Sequence, residues 1–83
     1  MVYKITIKKS AVKTLGKIQE PYYSSIKLAI LQLSRNPRPQ GCLKLKGRDA
    51  YRIRVSDYRI IYEIFDSELV VDVIALGHRK DIY

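Results

Sequence analysis

The run Tyr51-Arg-Ile-Arg-Val-Ser-Asp-Tyr-Arg-Ile-Ile-Tyr62 constrains the fold more than any other stretch, because both of its halves alternate around a dipeptide suited to a turn. With Ser56-Asp57 as a two-residue turn, Val55 faces Tyr58, Arg54 faces Arg59, Ile53 meets Ile60 and Tyr51 meets Tyr62. One face of the hairpin is then apolar and aromatic, and the other carries Arg52, Arg54 and Arg59. Like charges directly opposed in a sheet repel each other. A fold that keeps Arg54 beside Arg59 either spreads the two into water or holds an anion between them. An ordinary solvated sheet face accounts for the same alternation.

The rest of the chain supplies the partners of this hairpin. Tyr3, Ile5 and Ile7 alternate with Lys4, Thr6 and Lys8, which predicts a half-buried first strand. A short helix is expected over residues 10–18, with Ala11, Val12, Leu15 and Ile18 on its apolar side and Lys9, Lys13 and Lys17 on the other. Pro21 suits the first turn of a second helix that runs to about Arg35 and is stopped by Asn36-Pro37. Its apolar stripe is Tyr22, Ile26, Ala29, Ile30 and Leu33, while Leu28 and Leu31 fall on the far side.

The segment from Arg38 to Gly47 reads as a loop containing a short extended piece. After the hairpin, a turn at Asp66-Ser67 leads into a last strand from about Glu68 to Leu76. A two-residue turn would send Leu69, Val71 and Val73 to the core face, and Asp72 and Ile74 to the arginine face. The order is β-α-α-β-β-β. This predicts a single α+β domain over residues 1–83, with two N-terminal helices packed on a small, mainly antiparallel sheet.

Charge narrows the partner. The chain of 83 residues has a formal net charge of +8, which makes nucleic acid the leading partner class ahead of acidic protein or anionic membrane. The charge is local: Arg35, Arg38, Lys44, Lys46, Arg48, Arg52, Arg54 and Arg59 face only Asp49 and Asp57, whereas residues 60–76 carry four acids and no base. No apolar run approaches the roughly 20 residues that span a bilayer, and the N-terminus has no leader-like apolar stretch, so a cytoplasmic protein without membrane partners is expected. One cysteine and one histidine cannot form a disulfide within the chain or a zinc or iron ligand set. No cofactor or metal is expected, and Cys42, in a Pro/Gly-rich loop, reads as incidental.

Three stretches together resemble the RelE/ParE superfamily of bacterial and archaeal toxins, on its RelE branch: Lys44-Leu-Lys-Gly47, the run from Tyr51 to Ile64, and the ending Gly77-His-Arg-Lys-Asp-Ile-Tyr83. The likeness covers nearly the whole chain. It implies a toxin held inactive by a cognate RelB-like antitoxin, with operator DNA reached only through the antitoxin complex. In the RelE branch the free toxin enters the ribosomal A site and cuts mRNA, and in the ParE branch it poisons DNA gyrase without enzymatic chemistry. The resemblance places functional cations at Arg52, Arg54, Arg59 and Arg79, and a functional tyrosine at Tyr83. A copy that has lost activity and keeps only antitoxin and operator binding is a third possibility.

Metal-free RNA cleavage needs a proton acceptor for the 2′-hydroxyl, a donor for the leaving 5′-oxygen, and positive charge around the phosphorane. The arginines supply the last through forked donors. The familiar RelE pattern has lysines where this chain has Arg52 and Arg54, and arginine does not give up its proton near neutrality. Proton transfer would then fall to Tyr83 or His78, to the ribosome, or to electrostatic positioning alone. Arg79 and Tyr83, four residues apart, share a side whether the tail is helical or extended. His78 would point away from them and suits base stacking or structure better than catalysis. Lys44, Lys46 and Arg48 are expected on flanking phosphates or as plain loop solubility. Leu28 and Leu31 are expected to meet the antitoxin.

Overall fold

Strands β3 (Tyr51–Val55) and β4 (Tyr58–Phe65) of the computed structural model pair antiparallel in the register that the alternation predicts, with Tyr51 opposite Tyr62, Ile53 opposite Ile60 and Arg54 opposite Arg59. Ser56 turns the corner with φ at 56°, the left-handed conformation that a tight hairpin turn asks of its first residue. The structure describes residues 2–78.

Around the hairpin lie β1 (Lys4–Ile7), α1 (Lys9–Gly16), α2 (Tyr22–Gln32), β2 (Leu43–Lys44) and β5 (Val70–His78). The sheet order is β1-β5-β4-β3-β2. Among the described residues only β1 and β5 run parallel. The expected α+β layout therefore holds, with one addition: the short extended piece of the loop is a two-residue edge strand on β3.

Two local expectations need correction. The last turn spans more than two residues, because Glu68 N–H donates to Phe65 O and Leu69 N–H to Asp66 O. Leu69 sits there with φ at 55°, before β5 begins, and does not join the core strand as expected. Val71 and Val73 do join it and are fully buried. Between Ile61 and Tyr62 the register slips: Tyr62 faces Val73 while Ile61 faces Ala75, so Ile74 drops out of pairing. That bulge turns Leu76 inward against Ile60, where it is 4 % exposed.

Both helices cover the face bearing Ile53, Ile60, Tyr62, Val71, Val73 and Leu76, and contribute Ala11, Ile26 and Ile30 to one core that Leu33, just past α2, completes. Each large side chain removed from water there contributes roughly 1.5–3 kcal/mol. α1 lies over β5 and α2 over β3. The buried side of α1 is narrower than its periodicity suggests, since Ala11 is buried but Val12 is 52 % exposed. α2 starts where the Glu20 carboxylate accepts from Ser24 N–H at 3.1 Å and from Ser24 O–H at 2.6 Å. It ends in tight turns, with Ser34 N–H bonded to Leu31 O and Arg35 N–H to Gln32 O, so the helix proper stops short of Arg35.

The end of the sheet away from the Ser56 turn is clamped by polar contacts. Arg38 donates to Asp66 through Nη2 at 2.9 Å and Nη1 at 3.3 Å, and stacks over the Tyr51 ring. Tyr3 O–H donates to the same carboxylate at 2.7 Å, and Tyr62 O–H to Pro37 O at 2.7 Å. Among the described residues no helix is long and apolar enough to cross a membrane.

Candidate active face

Because residues alternate along a strand, the helix-covered side of β3 and β4 takes Tyr51, Ile53, Val55, Tyr58, Ile60 and Tyr62, and the other side receives Arg52, Arg54, Arg59 and Ile61. The structure therefore brings three of the five predicted catalytic residues together on the face that the helices leave open. Arg54 is exposed, while Arg52 and Arg59 are half-buried with their Nε atoms shielded from solvent. Ile61, in register with Arg52 and Ala75, is 7 % exposed and forms an apolar floor beside the guanidinium stems. Arg54 and Arg59 line a small notch with Ser56 and Asp57 at the turn.

One backbone fact shapes this end. Gly77 is the β5 residue opposite Arg59, so no side chain on that strand fills the space beside the guanidinium. Farther along the same face Glu63 stands opposite Asp72, and Asp72 accepts from Thr6 O–H at 2.9 Å with Lys8 Nζ 3.8 Å away. The open face is thus most cationic at the hairpin turn, because farther along Glu63 and Asp72 offset the lysines of the β1 side, Lys8 among them. Such a gradient orients a phosphate backbone toward the arginines.

The other predicted residues spread out. Arg79 and Tyr83 lie outside the described residues. His78 is opposite Tyr58, on the helix side of the sheet, and meets its ring edge-on with centroids 5.6 Å apart. Lys44 is opposite Tyr51, hence also off the arginine face, with Nζ 3.7 Å from Asp49. Lys46 and Arg48 are exposed in the loop beyond it, at the far end of β3 from the Ser56 turn. Leu28 and Leu31 are 57 % and 54 % exposed on α2, as the helical periodicity predicts. Among the described residues no three His, Cys, Asp or Glu side chains converge on one point.

Sequence reading missed some of what the fold assembles. Arg38, counted there as part of the positive segment, is engaged by Asp66 and Tyr51. Two grooves also escape a strand-by-strand reading. One, of about 530 Å³, runs between the end of α2 and β3, with Leu33 and Ile53 in its wall and Arg35 and Arg54 among its lining. The other, of about 440 Å³, lies between the end of α1 and the Tyr58–His78 end of the sheet.

This geometry has relatives. Residues 5–83 match the family model described as the ParE toxin of the type II toxin-antitoxin system, parDE. The mRNA interferase toxin RelE of Escherichia coli (strain K12) is 30 % identical, over 96 % of this chain and 86 % of that protein. Among solved structures, the archaeal RelE-RelB complex from Pyrococcus horikoshii OT3 aligns with a TM-score of 0.86 at 30 % identity, covering 98 % of this chain and 99 % of that one. The isolated E. coli RelE toxin aligns with a TM-score of 0.80 at 29 % identity, covering 92 % and 83 % respectively. The chain belongs to the RelE/ParE superfamily of type II toxin-antitoxin toxins, on its RelE branch.

Proposed function

We propose that this RelE-branch chain is the toxin of a type II toxin-antitoxin pair and acts in the cytoplasm as a ribosome-dependent mRNA interferase. Relatives at 30 % identity carry the name mRNA interferase, and several solved RelE structures were determined with RelB. The observation that carries the reading is Arg54 held opposite Arg59 on the open face, with Gly77 leaving room beside them.

In this reading the scissile phosphate sits on Arg54 and Arg59, with Arg52 and Arg79 completing the charge around it. The 2′-oxygen attacks phosphorus and its proton leaves to a base; the P–O5′ bond breaks and the 5′-oxygen takes up a proton, giving a 2′,3′-cyclic phosphate and a 5′-hydroxyl. The guanidinium forks stabilise charge on the phosphorane oxygens without themselves exchanging protons, so the cleavage needs no metal ion. Tyr83 is assigned proton transfer or stacking at the cut site, with the ribosome as the other proton source. Lys44, Lys46 and Arg48 hold flanking phosphates, where they set affinity rather than sequence choice. His78 contacts RNA from the helix side. A RelB-like antitoxin covers Leu28 and Leu31, and operator DNA is reached only through that complex.

The test is incubation of the purified, antitoxin-free protein with programmed ribosomes, with message ends mapped by primer extension and Arg79→Ala as control. Discrete cuts in the A-site codon that vanish in the variant are expected. The matching family model is named for ParE toxins, which favours one rival, a non-enzymatic poison of DNA gyrase. An uncut message alongside inhibited gyrase supercoiling would overturn the nuclease reading in its favour.

A further inference from the structure

We propose that the groove between α1 and the Tyr58–His78 end of the sheet is a nucleobase subsite, which stacks the base adjoining the phosphate held on the arginine face. The inference rests on the RNA-cleavage reading of that face and adds to it a base-binding element on the opposite side of the sheet.

Three rings stand in a row here. Tyr58 meets His78 edge-on at 5.6 Å, and Tyr22 at 5.6 Å with a tilt of 44°. Rings packed only to anchor helices to a sheet would be closed off by them. Tyr58 and His78 instead stay half-exposed, and Tyr22 is 42 % exposed. The groove beside them has about 440 Å³ of room, within the range that small organic ligands occupy. Its described lining holds the Thr14 hydroxyl and the Lys17 ammonium and no carboxylate, so it offers a hydrogen-bonding group and a cation to the rim of an aromatic platform. That combination suits a nucleotide better than an apolar peptide.

Its location ties it to the arginines. Tyr58 and Arg59 are consecutive, so their side chains leave opposite faces at the same end of β4. Gly77 lines this groove and also stands opposite Arg59, so the backbone between the two sites carries no side chain to separate them. A strand of RNA bent around the sheet end places its phosphate on Arg59 and its neighbouring base beside Tyr58. Bases so splayed out are the ones single-strand readers stack on aromatic rings.

The chain contains one histidine, so the imidazole resonances of His78 are unambiguous reporters in a proton NMR spectrum of the full-length protein. The probes are a non-cleavable 2′-O-methyl RNA trinucleotide and versions of it with one base replaced by an abasic sugar. Wild type should bind the intact strand with an upfield ring-current shift at His78, and one abasic position should weaken binding about 10-fold, as loss of one stacked base does. In Tyr58→Leu, which keeps an apolar side chain, that abasic penalty should disappear while Arg59-dependent binding remains. If Tyr58→Leu fails to fold, Lys17→Gln and the wild-type His78 shift decide. The subsite is overturned, with the RNA reading intact, if the trinucleotide binds through Arg59 but leaves His78 unmoved and is indifferent to every abasic position. Failure of wild type to bind any of the strands, or binding unaffected by Arg59→Ala, also overturns the subsite, while the RNA-cleavage reading stands or falls on the programmed-ribosome assay.

Discussion

Arg54 and Arg59 face each other directly across β3 and β4, with Asp57 as the one carboxylate among the described residues lining the notch they share. Like charges directly opposed in a hairpin are destabilising, and the fold keeps this pair nonetheless. Arg54→Gln should therefore leave the melting temperature unchanged or raise it by a few degrees, while message cleavage falls by about 100-fold, the scale for loss of one donor to a developing oxyanion. Thermal melts and primer extension on the same preparation check this. A variant that loses stability along with activity would make Arg54 a structural residue instead.

Leu28 and Leu31 are exposed on α2 and absent from the core, so replacing both should not unfold the protein. Leu28→Asp/Leu31→Asp should keep the wild-type melting curve and weaken antitoxin binding by about 100-fold, since each leucine buried in an interface contributes more than 1 kcal/mol. Titration calorimetry with the antitoxin measures it. Wild-type affinity in the double variant would move the antitoxin off this side of α2.

The hairpin was legible in the sequence because strict alternation around Ser56-Asp57 allows one register that keeps Ile53, Ile60 and Tyr62 on the same face. The last strand was less so. Sequence spacing does not reveal that Leu69 adopts a left-handed conformation or that the register slips beside Ile61, and both move residues between faces. The arginine cluster follows from parity alone. Arg38 does not: its partner Asp66 is 28 residues away, and only the fold brings the two together. The Tyr22, Tyr58 and His78 row was hidden for the same reason, since it draws one ring from each of three elements.

The Arg38 clamp should make stability sensitive to pH at both extremes. Hydrogen bonds from Arg38, and then from Tyr3, hold the Asp66 carboxyl below its ordinary value of 3.8. A carboxylate depressed in the folded state stabilises fully above its unfolded value, and that contribution is lost as pH falls through the folded one. The bond to Asp66 in turn raises Tyr3 above its ordinary 10.0, so its contribution is complete below pH 10 and fades as pH rises through the raised value. Melting temperature should thus drop below about pH 4 and above pH 10. Asp66→Asn should flatten both limbs, whereas Tyr3→Phe should remove the alkaline limb and only weaken the acid one, since Arg38 still holds Asp66. Equal slopes in wild type and Asp66→Asn would show that other groups set the pH dependence.

Tyr62 ties the core to the loop after α2. Its ring is fully buried, and its hydroxyl donates at 2.7 Å to the carbonyl of Pro37, itself a buried residue. Burial, more than any neighbour, pushes the phenol well above its ordinary value, which keeps it a donor around neutral pH. Tyr62→Phe keeps the ring and its stacking on Tyr51, 6.0 Å away between centroids, but strands the carbonyl. The expected cost is about 1–2 kcal/mol, which lowers the melting temperature of a chain this size by roughly 4–16 °C. Because Tyr62 lies on the helix side, Arg52, Arg54 and Arg59 should keep their places, and cleavage per folded molecule should not change. Urea unfolding gives the first quantity, and primer extension below the melting temperature gives the second. A loss of cleavage without a loss of stability would contradict this assignment, because it would mean that the Pro37 loop contributes to the active face directly.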